Sequence, residues 1–577
     1  MNEKNRQLLC TLGKMDIPII QEQPFFKVDL FQSNILLIGS AGSGKSNFLK
    51  VLITEIHRQL ENHEKPPEPL INENIYILDS TDSLKEYKDF PLVKAHYDFS
   101  NEEYIKRVFY NIENQYRQNV KDLTGKPFYK SDKNIPHTTL IIDNINSFLD
   151  IKRNEKYMDI IIKTARDGIT KGISIVLTGS STRNISSIMN YFPQKIALNL
   201  SAEEYLNVFS KKAVGNKNIP GRGYANVTHN TSQGVNSYPL NVPYELQIFH
   251  MDKIISDFNI KSSEKFTRFP LLLTDGNESS ESNYKKFAVV DDKNTEPNAN
   301  DVVIGVEYTK CTVVTTNFSN SRIWAIYGKR NEEKQLFLER LLEKFVKNQY
   351  KIFVYDDGRK RLENLNKNLK INVEKYNYLQ ERILLYDQND KGDTFENKLS
   401  VLQQFIHYIH TNLFNLKDEK RYSNSQSFVL DAVMPNKYKS FFSDKTEPES
   451  KCVFVLQSRE FFSNSIQANV FTGDILPLLK TIAEELDLYI FFTDAQRIAS
   501  SDVQNNFNQC LDTAVLLDDI AEFVYDRGKR TVFSEMDIKD LKEQFGLCEE
   551  NDAYIYQVDS AELKKIKSVR KEQKNGI

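Results

Sequence analysis

The stretch Asn34-Ile-Leu-Leu-Ile-Gly39-Ser-Ala-Gly-Ser-Gly44-Lys45-Ser46 narrows what this chain can fold into more than any other. A short apolar run ends at a glycine, and a loop of glycine and serine follows. Phe48, Leu49, Leu52, Ile53, Ile56 and Leu60 then recur at the helical period. A buried strand, a turn and a helix laid against the sheet are predicted in that order. The spacing Gly39-x4-Gly44-Lys45-Ser46 is that of a P-loop, whose glycines let backbone N–H groups turn inward around phosphate oxygens at a helix N-terminus. Average residue usage gives roughly 0.02 chance matches in a chain of this length, so composition alone does not account for the motif.

The same alternation continues downstream. Residues 75–78 before Asp79, 139–142 before Asp143, and 173–178 form apolar runs of strand length. Tyr104, Val108, Phe109, Ile112, Tyr116 and Val120 fall on one helical face, and 157–166 is a further helical stretch. Strands alternating with helices predict a mainly parallel sheet covered on both faces. Polar, turn-rich sequence such as Gly276-Asn-Glu-Ser-Ser-Glu-Ser-Asn predicts a linker over 256–300, between domains at 1–255 and 301–577. The second half repeats the first: Arg322-Ile-Trp-Ala-Ile-Tyr-Gly328 is again a strand ending in glycine. Residues 352–356, 452–456 and 489–493 match the strands that end at Asp79, Asp143 and Thr178. A polar insertion at 417–450 is the main difference. The expected fold class is α/β, with two tandem P-loop domains of one architecture and the second degenerate.

Composition removes several alternatives. At 577 residues the chain is too long for one small domain. Seventy-six Lys+Arg against 79 Asp+Glu leave a net charge of -3, which demands no polyanionic partner. The five cysteines are scattered without a CxxC pair, against both a disulfide framework and a zinc site. No apolar run approaches the ~20 residues of a membrane helix. The basic run Lys564 to Lys574 is expected to be a solvated tail or helix end.

Within the P-loop, Gly39, Ser40, Ala41, Gly42, Ser43, Gly44, Lys45, Ser46 and Asn47 are the candidate nucleotide-binding residues. Lys45 is expected to reach the β/γ-phosphates and Ser46 to ligate Mg²⁺. Asp143, ending an apolar strand downstream, is the expected second Mg²⁺ ligand. Asn144 follows where many such ATPases carry a glutamate that activates water, and an amide orients water without taking its proton. Lys45, Asp143 and Asn144 are therefore the catalytic candidates of a slow ATPase whose cofactors are ATP and Mg²⁺. Thr178 and Ser180 end the next strand, where polar residues that sense nucleotide often sit. Arg166 and Arg222 are candidates to reach a phosphate in a neighbouring domain or subunit, against the commoner reading of a surface ion pair.

The second copy has lost this equipment. In Gly328-Lys-Arg-Asn-Glu-Glu333-Lys334-Gln335, Glu333 replaces the last glycine and Gln335 the Ser/Thr, and Gln457 stands where Asp143 stands. A Cβ and a negative charge at Glu333 oppose a phosphate, so Lys334 is expected to be structural.

The series GSAGSGKS, LIIDN, ARDGITKGISIVLTGSS, FPQKIALNLS and IPGRGYANV, with VVIGVEYTKCTVV opening the second copy, resembles the FtsK/SpoIIIE superfamily of P-loop motors. Within it the likeness is to the last two ATPase domains of the type VII secretion ATPases. The resemblance implies RecA-like domains in a C-terminal fragment of a larger protein, held through absent N-terminal segments at the inner face of the cell membrane. It further implies a hexamer in the full-length protein, with small Esx-type substrates and other secretion-system components as partners and no nucleic acid. A DNA translocase of the same fold and a non-hydrolysing nucleotide-binding scaffold remain the alternatives.

Overall fold

The computed structural model describes residues 6–61, 73–210, 219–226, 242–251, 268–270, 272–276, 282–288, 301–356, 362, 364–370, 376–380, 382–383, 398–399, 451–457, 468–469, 471–493, 500–525 and 531–571. The insertion at 417–450 and most of the expected linker lie outside them. The chain forms two compact units, Met1–Arg268 and Phe269–Ile577.

The first unit is built on ten strands: β1 (Leu9–Asp16), β2 (Phe25–Asp29), β3 (Ile35–Gly39), β4 (Glu73–Asp79), β5 (Val93–Tyr97), β6 (His137–Asp143), β7 (Ile173–Gly179), β8 (Gln194–Leu198), β9 (Arg222–Asn226) and β10 (Pro243–Ile248). They form one sheet in the order β2-β1-β10-β9-β8-β3-β7-β6-β4-β5. From β8 to β5 every pairing is parallel, and from β8 to β2 every pairing is antiparallel. β3, β4, β6 and β7 are buried along their whole length, as strands covered on both faces must be. Helix α1 (Lys45–Glu61) lays Phe48, Leu49, Leu52, Ile53 and Ile56 against Ile35 and Leu37 of β3. Helix α2 (Glu102–Leu123) buries Tyr104, Ile105, Val108, Phe109 and Ile112, and the Phe109 ring stacks at 4.4 Å on Tyr157. Two short helices, α3 (Ile145–Asp150) and α4 (Met158–Asp167), lie between β6 and β7, and α5 (Ala202–Phe209) follows β8.

The second unit contains β11 (Leu273–Asp275), β12 (Val303–Glu307), β13 (Val313–Thr315), β14 (Ile323–Tyr327), β15 (Lys351–Asp356), β16 (Tyr376–Gln380), β17 (Arg382–Ile383), β18 (Lys398–Leu399), β19 (Cys452–Gln457), β20 (Tyr489–Thr493), β21 (Thr513–Leu516), β22 (Asp552–Gln557) and β23 (Glu562–Lys571). Its main sheet runs β13-β12-β23-β22-β21-β14-β20-β19-β15-β16. Strand for strand this is the order of the first sheet, with the same division into parallel and antiparallel halves. The α/β duplication read from the sequence is therefore real, and each sheet is mixed rather than wholly parallel. Trp324 is buried in the second core. β11, inside the stretch expected to be linker, pairs parallel with β23.

The basic run at the C-terminus departs from expectation. Residues 564–571 are an inner strand, β23, held between β22 and β12. Lys565 and Lys567 share the face of the strand opposite to Ile566, and all three are buried because both faces are covered here. Their charges are met by Asp552, at 3.2 and 3.0 Å, and the Tyr308 hydroxyl donates to the same carboxylate at 2.6 Å. Lysine frequency predicted solvent; buried Asp552, with Glu549 and the carbonyls of Leu547 and Glu550, decided otherwise.

Candidate nucleotide site

The carboxyl ends of β3, β7, β6 and β4 lie side by side, so Gly39, Thr178, Asp143 and Asp79 meet at one edge of the first sheet, the place where this class of fold gathers ligands. Asp79 and Asp143 are direct register partners.

The loop after β3 depends on its glycines. Gly42 and Gly44 have φ of +73° and +103°, conformations that side chains strain to reach. A Cβ on Gly44 would also stand 2.8 Å from the Gly221 nitrogen. That nitrogen donates to the Ser43 carbonyl at 2.8 Å, tying the turn before β9 to the loop. Ala41 and Gly42 form the exposed crest. Lys45 Nζ donates to the carbonyls of Gly39 and Ser40 at 2.7 and 3.0 Å, folded over the loop it belongs to. Burial lowers the Lys45 pKa, and the charge of Asp143 opposes that shift. The Ser40 and Ser43 hydroxyls are buried without a hydrogen-bond partner. A cation over carbonyls it can release, beside orphaned hydroxyls in a glycine loop that opens a helix, fits a chain of phosphates.

Asp143 is only 4% exposed. Its Oδ1 accepts from Thr178 Oγ1 at 2.5 Å and its Oδ2 from Ser83 Oγ at 3.3 Å. Burial first, and the charge of Asp79 second, push its pKa up, against the hydrogen bond from Thr178. A carboxylate held at this disadvantage gains from a cation. Among the described residues no three His, Cys, Asp or Glu side chains gather to hold a metal ion unaided. The buried Asp143 carboxylate and the Ser46 hydroxyl in the first turn of α1 are oxygen donors of the kind Mg²⁺ takes together with phosphate oxygens and water.

Asn144 has φ of +68° and caps α3: its Oδ1 accepts from the Ser147 amide, and its Nδ2 donates to the Ser147 hydroxyl at 2.6 Å. Its own N–H donates to Thr178 Oγ1 at 2.8 Å. Thr178 thus joins the strand end at Asp143 to the cap at Asn144. Asparagine is one of the few residues at ease in the left-handed region and at a helix N-cap together, which gives the residue after Asp143 a structural occupation.

Two residues that matter here, Asp79 and Asn146, carried no distinguishing sequence signal, and a third, Asn47, was expected at the nucleotide. Burial works to raise the pKa of Asp79, but hydrogen bonds from the His96 ring and the Leu84 and Thr81 amides hold it below its ordinary value. It thereby shapes the turn that delivers Ser83 to Asp143. Asn146 accepts from the Ser180 amide at 2.8 Å and donates to the Arg183 carbonyl at 2.8 Å, fixing the loop after β7. Asn47 turns away from the loop, donating to the Phe249 carbonyl at 2.7 Å and accepting from the Met251 amide at 3.0 Å. Arg166 pairs with its neighbour Asp167 at 2.8 Å on the surface, and Arg222 pairs with Glu245 at 2.6 Å across β9 and β10.

In the second unit the aligned stretch is mostly helix. Helix α6 (Asn331–Lys347) starts at the position matching Gly42, three residues earlier than α1 starts. Glu333 lies in its first turn, half-buried with its pKa raised by burial and opposed by Arg330, whose guanidinium is 2.8 Å away. Lys334 is 4% exposed on the helix.

Strand order, phosphate loop and facing carboxylate define a tandem of P-loop ATPase folds in which the second has lost its loop. No family model matches the chain. In sequence it is similar to type VII secretion system protein EssC of Staphylococcus aureus strain MRSA252, 27% identical over 232 residues that cover 38% of this chain and 15% of that protein. The chain thus spans a small part of the length of the curated relatives it matches. In fold it is similar to EssC (ATPases 2 and 3) from Geobacillus thermodenitrificans, with a TM-score of 0.60 at 16% identity over 98% of this chain and 96% of that one. It is equally similar to Thermomonospora curvata EccC (ATPases 2 and 3) in complex with a signal sequence peptide, with a TM-score of 0.60 at 14% identity over 99% and 94%. The resemblance to the last two ATPase domains of type VII secretion ATPases is borne out.

Proposed function

We propose that the first unit binds Mg·ATP at residues 39–47, and that the chain works as the terminal motor or coupling module of a type VII secretion ATPase. The observation that carries the reading is the loop itself: positive-φ glycines, buried orphan hydroxyls on Ser40 and Ser43, and Lys45 poised between loop carbonyls and Asp143. Bound Mg²⁺ would supply charge neutralisation between phosphate oxygens. The chain's own part is positional. The loop amides and Lys45 hold the phosphates, Ser46 and Asp143 offer the metal ligands, and Thr178 keeps Asp143 in line.

Small Esx-type substrates and their signal segments are the proposed cargo, by likeness to EccC. Hexamer formation and a place at the inner face of the membrane belong to the same reading of a longer protein. A second reading, a scaffold that binds nucleotide without turning it over, draws support from Asn144, whose amide is engaged as a helix cap. Titration calorimetry of the whole chain with Mg·ATP tests the core of the proposal. One nucleotide per chain is expected; none, or two, overturns it. Phosphate release in the presence of an Esx-type protein then separates motor from scaffold.

A further inference from the structure

The P-loop has two unlike flanks. On the β7, β6 and β4 side stand Thr178, Asp143 and Asp79; on the β8, β9 and β10 side stand the Pro220–Gly221 turn and the chain leaving β10. A nucleotide whose terminal phosphate and cation face the carboxylates must extend its nucleoside towards the second flank. There Phe249 is 36% exposed, and Phe25 meets it edge-on with ring centroids 6.2 Å apart. Asn47 holds the Phe249 carbonyl and the Met251 amide on the first turn of α1, so the backbone that carries Phe249 is fastened to the helix that follows the phosphate loop. A soluble domain keeps two adjacent phenylalanines half in water at a stability disadvantage.

We propose that Phe249, braced by Phe25, is the stacking platform for the nucleobase of the bound nucleotide. This rests on the nucleotide reading above. The second unit supplies a contrast. β1 and β12 carry a bulge at the same place, before Gly13 and before Gly305, so Ile248 opposite Gly13 corresponds to Ser568 opposite Gly305. The counterpart of Phe249 is then Val569, 2% exposed and paired with Leu273 of β11. Where the phosphate loop is lost, the aromatic is lost as well, and its place is covered by an added strand.

Stacking of a base on an aromatic ring is worth ~1–3 kcal/mol, roughly 5- to 150-fold in affinity. Calorimetry on the full chain with two probes, Mg·ATP and Mg·tripolyphosphate, reads this out. Phe249→Ala should weaken ATP by roughly that factor and leave tripolyphosphate unchanged. Phe249→Leu, which keeps apolar bulk against Phe25, should show most of the same loss, and Phe249→Tyr should restore affinity. ATP affinity unaltered in both Ala and Leu variants, or equal loss for ATP and tripolyphosphate, overturns the platform while leaving the phosphate site standing. Lys45→Ala is the separate control: if it spares both probes, the phosphate site itself is misassigned.

Discussion

Residues 39–46 and 328–335 occupy the same place in the same strand order, yet one stretch is a glycine loop and the other is the start of a helix. The difference is two backbone conformations. Gly42 and Gly44 enter the left-handed region; Asn331 and Glu333, at the same positions, stay helical, and α6 gains a turn. The amide of Lys334, the match of Lys45, is spent on the Arg330 carbonyl at 3.3 Å inside the longer helix, and only the amides before it stay unpaired at the helix N-terminus. The two units therefore part at this corner with no change in strand order, and Gln335 and Gln457 stand where Ser46 and Asp143 stand in the first.

The comparison predicts its own breaking points. The largest effect belongs to the lysines. Lys45→Ala should weaken Mg·ATP by ~10³-fold, the scale of a desolvated charge pair broken on one side, whereas Lys334→Ala should leave affinity unchanged. Equal losses would mean that both loops bind.

Next comes Asn144. Wild-type turnover should be slow, and Asn144→Glu should raise phosphate release by ~10²-fold if a proton acceptor is what is missing. The same change takes away the α3 cap and puts a long side chain at positive φ, lowering stability by about 1–2 kcal/mol. Wild-type turnover of tens per second would show that another group supplies the base.

Gly44→Ala sets a Cβ 2.8 Å from the Gly221 nitrogen at a φ of +103°, and should destabilise the first unit by about 1–3 kcal/mol. Glu333→Ala, in a helical turn, should shift urea unfolding by no more than about 0.5 kcal/mol. A reversed ranking would undo the account of the two loops.

Asp143 sharpens the contrast through pH. Its folded-state pKa is raised by burial and by Asp79, so the ligand-free fold loses stability as pH climbs through the carboxylate range, and the loss is complete above the raised value. Asp143→Asn should therefore be more stable than wild type at pH 7 without ligand, with the gap closing below about pH 4. With nucleotide at 100 times its dissociation constant the wild type should regain about 2.7 kcal/mol and the variant little. Thermal unfolding at both pH values measures this, and a variant less stable than wild type at pH 7 contradicts it.

The smallest effect is that of Arg222→Ala. Its surface ion pair with Glu245 should contribute at most about 0.5 kcal/mol, and ATP affinity in the isolated chain should stay within a factor of two. A larger loss of affinity would give that arginine a place at the phosphates.

Much of this was legible along the chain because it is written in neighbours. A strand, a glycine loop and an amphipathic helix are consecutive, so the spacing that names the P-loop also dictates its backbone, and the repeat of the same order predicted two domains of one architecture. Lys45, Ser46 and Asp143 follow from that local grammar. What the sequence left undecided lies between residues far apart. Asp79 looks like any turn aspartate until β4 and β6 set it beside Asp143, and Asn47 looks like part of the loop until β10 brings Phe249 and Met251 under its amide. Lys565 and Lys567 read as solvent-facing until Asp552 meets them inside a sheet. Local sequence determines which conformations the backbone finds easy, because sterics act between adjacent peptides. Which charges end up facing one another, and which aromatic is left half in water beside a phosphate loop, is decided only when the sheet sets its strand order.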